Sequence, residues 1–123
     1  MKEAQDRFER YIKRRFGETT TLKHYRSDLN IFRTYIGDRQ PEMIQATDID
    51  GFIEHQQAAG RKPGTLNRRL STLHSFFEYL ASEKPALRWP NPVVWRRHQV
   101  KMGSTLPRDV SDTQGFSPGA ELA

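Results

Sequence analysis

The stretch GTLNRRLSTLHSFFEYLASE, residues 64–83, decides the fold. Wound into a helix at about 100° per residue, it gathers Leu66, Leu70, Leu73, Phe77 and Leu80 within one narrow arc. The opposite side carries Asn67, Arg68, Ser71, Thr72 and Ser75, with Thr65 at the N-terminal edge and no carboxylate among them. A helix so divided must bury its leucine stripe against other elements, and the chain on either side supplies them.

Upstream, Arg61, Lys62, Pro63 and Gly64 form a basic turn, preceded by a short helix that runs to about Ala59 and stops at Gly60. Thr47 followed by Asp50 fits a capping box there, Asp48 suits the positive end of the helix dipole, and Ile49, Phe52 and Ile53 are the buried residues. Before it, a helix opens at Thr19, Thr20 or Thr21, any of which can cap, and continues with Leu22, Tyr25, Leu29, Phe32 and Ile36 on one side until Gly37. The first helix spans residues 2–16, with Phe8, Tyr11, Ile12 and Phe16 on its apolar face and Gly17 behind it.

Downstream, Pro85, Pro90 and Pro92 break regular structure, and Trp89, Val93, Val94 and Trp95 are expected to fold back and seal the core. From Ser104 the periodicity fades, and SDTQGFSPGAELA reads as a disordered tail or a linker. Without strand-like alternation or a solenoid repeat, the prediction is an all-α protein, a compact bundle of four to five helices over residues 1–103 with a tail over 104–123.

A chain of 123 residues has room for one modest core. Its mean hydropathy is low, −0.83, yet seven Phe, four Tyr and two Trp supply the bulk that a disordered chain lacks. The absence of cysteine excludes disulfides, thiolate chemistry and Cys-ligated zinc, and fits a reducing cytoplasm. His24, His55, His74 and His98 include no pair at the i, i+4 spacing that sets two imidazoles on one helical face, so no metal is expected. The charged N-terminus MKEAQDRFERY is neither a signal peptide nor a membrane span, and the expected location is cytoplasmic. No Gly-rich phosphate loop, nucleophile turn or catalytic carboxylate set stands out, so neither enzymatic activity nor a cofactor is expected. Asp48 and Asp50 are explained by the helix start.

Twenty Lys and Arg against fifteen Asp and Glu give a net charge of +5, which favours a polyanionic partner. The charge is segregated: residues 41–60 hold four acids and no Lys or Arg, whereas residues 61–77 hold Arg61, Lys62, Arg68 and Arg69 and no acid. The second helix likewise sets Lys23, Ser27, Asn30 and Thr34 opposite its apolar stripe, with His24 beside them. Both polar faces suit phosphate oxygens and major-groove base edges, and both also fit an ordinary solvated surface. Arg69, at the edge of the leucine arc, fits a packed stem as well as a DNA contact, and Lys13, Arg14, Arg15, Arg96 and Arg97 fit helix-dipole pairing as well as phosphates.

These segments together resemble the N-terminal core-binding, SAM-like domain of tyrosine recombinases, the phage-integrase and Xer-like family. The resemblance covers residues 5–112 and is carried by TLKHYRSDLNIFRTYI, ATDIDGFIEHQ, GTLNRRLSTLHSFFEYLASE, NPVVW and LPRDVSD, in that order. In that family the domain forms half of a C-shaped clamp on duplex DNA, and its second and fourth helices approach the major groove. The resemblance therefore implies DNA contacts from Thr21, Lys23, His24 and Ser27 and from Thr65, Asn67, Arg68 and Arg69. Double-stranded DNA is the implied partner, with other recombinase protomers as a second one, and the implied process is DNA integration or recombination. A protein-interaction module serving protomer contacts is the alternative.

In that family a Leu-Pro segment resembling LPRDVSD introduces a second domain with an Arg, a Lys, a His-x-x-Arg pair, a further His or Trp and a nucleophilic Tyr. The resemblance therefore makes residues 104–123 either a disordered tail or the start of an absent catalytic domain. None of the four histidines here has Arg three positions on, since Ser27, Ala58, Phe77 and Lys101 stand there, and Tyr11, Tyr25, Tyr35 and Tyr79 all fall within the helical region. Strand cleavage by this chain alone is accordingly not expected. An excised piece, a truncated or frameshifted product and a standalone accessory protein all fit the ending.

Overall fold

A computed structural model describes residues 1–101 as five helices in the order α1 (Lys2–Phe16), α2 (Thr20–Ile36), α3 (Ala46–Ala58), α4 (Pro63–Glu83) and the single turn α5 (Trp95–His98). Short 3₁₀ turns occupy Pro41–Met43 and Pro85–Leu87. No strand occurs among the described residues. The expected boundary at 103/104, the LPRDVSD segment and the tail lie outside them.

Helix starts follow local chemistry. Thr19 caps α2, its hydroxyl oxygen accepting from the Leu22 N–H at 3.3 Å. At α3 the box sits two residues earlier than the Thr47/Asp50 expectation. The Asp48 carboxylate accepts from the Gln45 N–H at 2.8 Å, which makes Gln45 the cap and leaves Asp50 free to pair elsewhere. Pro63 opens α4, where its missing N–H costs nothing, so the basic turn is shorter than the Arg61–Gly64 expectation. Gly37 ends α2 at φ 76°, a conformation that a side chain would strain.

The core lies where α1, α2 and α4 meet, with α3 added against α2 and α5 against α3. Phe8, Phe32, Phe52, Phe76 and Phe77 are fully buried among leucines and isoleucines. They meet largely edge to face: Phe8 on Phe76 at 5.5 Å, Phe32 on Phe52 at 5.1 Å and on Phe77 at 6.4 Å. Gly51 lets α3 pass beneath Tyr35, whose hydroxyl would come within 2.6 Å of any Cβ added there.

Three expected core residues lie outside the core. Phe16, in the last turn of α1, is 54% exposed, and Val94 and Trp95 are 44% and 40% exposed. Val93 and half-buried Trp89 do the sealing, Trp89 standing edge-on to Phe77 at 6.2 Å. The return segment is tied down mainly by polar bonds. The Asn91 amide donates to the carbonyl of His74 at 3.0 Å and its oxygen accepts from the Val93 N–H at 2.9 Å.

His98 completes the closure. Its Nδ1 accepts from the Val94 N–H at 3.0 Å, which places the ring proton on Nε2, 3.0 Å from both the Ala46 carbonyl and Asp50 Oδ1. One buried imidazole thus joins the start of α5 to the start of α3.

Candidate nucleic-acid interface

Alternation of buried and exposed positions sets the outward face of α2. Leu22, Leu29 and Phe32 point inward, leaving Thr21, Lys23, His24 and Ser27 exposed. Among the described residues Lys23 has no carboxylate within ion-pairing distance, whereas neighbouring Arg26 is taken by Glu9 at 3.0 Å. Thr34 is turned to its own helix, its hydroxyl donating to the Asn30 carbonyl at 2.9 Å.

On α4 the expected residues separate. Arg68 is exposed and Thr65 half-buried. Asn67 and Arg69 stand elsewhere than on a free outer face. Both ends of the Asn67 amide are occupied by one backbone unit: Nδ2 donates to the Val100 carbonyl at 2.7 Å and Oδ1 accepts from the Val100 N–H at 2.8 Å. Arg69 is buried, with Nη1 donating to Gln56 Oε1 and Nε 3.4 Å from Asp28 Oδ1. Thr72, read from periodicity as an outer residue, is 1% exposed.

Asp28 is the centre of this arrangement; it falls within the TLKHYRSDLNIFRTYI stretch that carries the resemblance, but periodicity assigns it no partner. Its carboxylate, 1% exposed, accepts from Arg68 Nη2 at 2.7 Å and Nε at 3.3 Å and from the Thr72 hydroxyl at 2.9 Å. A buried carboxylate is tolerable only with such partners, and here α4 supplies all of them to a residue of α2. The two helix faces therefore contain an acid after all, enclosed between them. A signal existed: Asp28 lies four residues before Phe32, on the rim of the α2 apolar stripe, where a lone charge calls for a partner.

Elsewhere among the described residues the cations divide into tied and untied. Arg97 is held by Asp50 through Nε at 2.9 and 3.1 Å, and the pairing draws the Asp50 carboxyl below the usual carboxylate range. Arg14 and Arg15 lie over the rings of Tyr11 and Phe16 at 5.8 and 5.5 Å. Arg61 and Lys62, immediately before α4, are exposed and without an ion-pair partner among the described residues. The surface at the start of α4 and along α2 thus offers cationic and hydroxyl groups to an anion, with Arg68 the long side chain fixed in place. Gly64 and Ser71, one turn to either side of Arg68 on α4, are both small and exposed, so a partner can approach the helix closely there.

Among the described residues no group of three or more His, Asp or Glu could hold a metal ion, and no helix is long and apolar enough to cross a membrane.

Residues 6–84 match the family described as phage integrase, N-terminal SAM-like domain. The chain is 36% identical over 110 residues to a tyrosine recombinase XerC of Thermodesulfovibrio yellowstonii, covering 89% of this chain and 35% of that protein. It is 34% identical over 90 residues to a tyrosine recombinase of Thermosipho africanus, covering 69% and 30%, and 29% identical over 96 residues to a tyrosine recombinase XerD of Haemophilus influenzae, covering 76% and 31%. It spans about a third of the length of these relatives. No solved structure matches.

Proposed function

This chain belongs to the family of phage integrase N-terminal SAM-like domains, and from that premise we propose that it binds duplex DNA as the core-binding part of a site-specific tyrosine recombinase. In this reading α2 and α4 face the DNA. Lys23, Arg61 and Lys62 neutralise phosphates, Thr21, His24, Ser27 and Thr65 approach as shorter polar groups, and Arg68 enters the groove. Asn67 and Arg69 act from behind, the first by fixing the return segment to α4 and the second by sharing Asp28. All residues of this proposed surface fall within the helical region expected over residues 1–103.

The observation that carries the reading is that Lys23 of α2 and Arg61 and Lys62 at the α4 entrance have no ion-pair partner among the described residues, while the acid buried between the two helices is enclosed by Arg68, Arg69 and Thr72. The proposed role does not include strand cleavage, and the tyrosines have packing contacts: Tyr11 stacks on Tyr79 at 4.8 Å, Tyr25 packs on Phe8, and Tyr35 lies over Gly51.

Fluorescence anisotropy with short duplexes at several salt concentrations tests the proposal. Binding should weaken with a slope of roughly −0.9 in log K against log salt per phosphate contacted, and Lys23→Ala with Arg68→Ala should abolish it. Wild-type protein that ignores duplexes even at low salt would sink it. The second reading, a surface for neighbouring recombinase protomers, is favoured by exposed Phe16 and Trp95. Their replacement would then weaken self-association and leave DNA binding intact.

A further inference from the structure

We propose that Arg68 reads a guanine edge in the major groove and that Asp28 is the positioning residue that aims it; the inference rests on the DNA-binding reading above. Arg68 gives Asp28 one particular edge of its guanidinium, Nε at 3.3 Å and Nη2 at 2.7 Å. That side-on grip leaves the end of the fork, one N–H from Nη1 and the outer N–H of Nη2, without a partner among the described residues, on a side chain 43% exposed. Two parallel N–H groups in a plane match the O6 and N7 acceptors of guanine.

A phosphate would accept the same fork, and three features decide between them. The first is fixation. Asp28 is itself held by the Thr72 hydroxyl at 2.9 Å and lies 3.4 Å from Arg69 Nε, so the guanidinium plane is set by the core and cannot follow a phosphate as a lysine does. The second is charge: the nearest charge to Arg68 is a carboxylate, whereas Lys23, Arg61 and Lys62 have no ion-pair partner among the described residues. The third is access, because Gly64 and Ser71 flank Arg68 on its helix face and leave it the longest group there. Arg68 also lies in the first third of α4, behind the Arg61–Lys62 pair. A helix entering a groove by its N-terminal end would anchor on phosphates first and present this side chain to the bases.

The test enriches bound duplexes from a pool carrying a randomised central region, using the full chain, and then measures affinities for the enriched duplex and its single-base-pair variants. Wild type should fix a G·C pair at one position and lose affinity about ten- to a hundredfold when that pair is replaced. Arg68→Ala should level those differences at that position alone, and Lys23→Ala should weaken all duplexes alike while keeping the preference. Asp28→Asn should also relax the preference while affinity for unselected duplexes persists.

Arg68→Lys, which keeps the charge at an exposed position, covers the case in which Asp28→Asn unfolds, and it too should lose the guanine preference. Uniform weakening by Arg68→Ala would make Arg68 a phosphate contact and overturn the inference. So would a guanine preference that survives Arg68→Lys, or salt-sensitive binding with no base fixed at any position. Absence of all binding by wild type would instead remove the DNA-binding reading and this inference with it.

Discussion

Asn67 and Val100 are joined at two points, the side-chain amide of one closing on both backbone groups of the other at 2.7 and 2.8 Å. A residue of the fourth helix thereby serves as the pairing partner for an extended segment that has no strand to pair with. Asn67→Ala leaves both Val100 groups to water, and about 1–3 kcal/mol of local stability should go with them. Hydrogen exchange reads this directly: the Val100 amide should exchange much faster while amides in the middle of α4 change little. Unchanged Val100 protection would mean that the segment is held by other contacts.

Arg69→Ala should act on stability. Removing it takes one of two cationic partners from a buried carboxylate and leaves Gln56 Oε1 without its donor, for a loss of about 3–5 kcal/mol in urea unfolding. A variant of native stability that no longer bound DNA would place Arg69 at the interface after all.

Phe32 touches two other buried rings, Phe52 and Phe77, and Phe32→Ala should cost about 3–5 kcal/mol. Phe16→Ala, at an exposed site of the same residue type, should stay within about 0.5 kcal/mol. Equal losses in denaturant titrations of the two variants would contradict the burial pattern.

Stability should fall on acidification through two paired carboxylates. The hydrogen bond from Arg7, at 3.0 and 3.1 Å, holds Glu83 below the usual carboxylate range against the opposing effect of burial, and Arg97 does the same for Asp50. Because both groups bind protons more readily in the unfolded chain, their contribution is complete above about pH 5 and is lost as the pH drops through their folded values. The melting temperature should therefore hold from pH 7 to about 5 and decline below it. Arg7→Met with Arg97→Met should flatten that decline, and an identical acid profile in the double variant would assign it to other groups.

Helix positions were legible because the leucine and phenylalanine spacing of α2 and α4 leaves one face to bury, and glycines mark the ends of α1 and α2. What periodicity within one helix cannot register is a polar pair between two helices. Thr72 and Arg69 lie beside the α4 stripe and read as outer or ambiguous until Asp28 of α2 is set against them. Phe16, Val94 and Trp95 were misplaced for the converse reason: an apolar side chain near the end of an element is buried only if a neighbour reaches that far. Asn67 read as a free amide because its partner is backbone thirty-three residues away, which leaves no trace in side-chain identity.

The Asp28 cluster also bears on why the bundle has one alignment. Slid past α2 by a single turn, α4 would exchange Leu70 for Leu66 or Leu73 along the seam, and the oily contact would hardly distinguish the two arrangements. The same slip of about 5.4 Å would carry Arg68 and Thr72 out of reach of the Asp28 carboxylate and strand a charge in the interior. The leucines make the two helices adhere, and the aspartate makes every offset but one untenable.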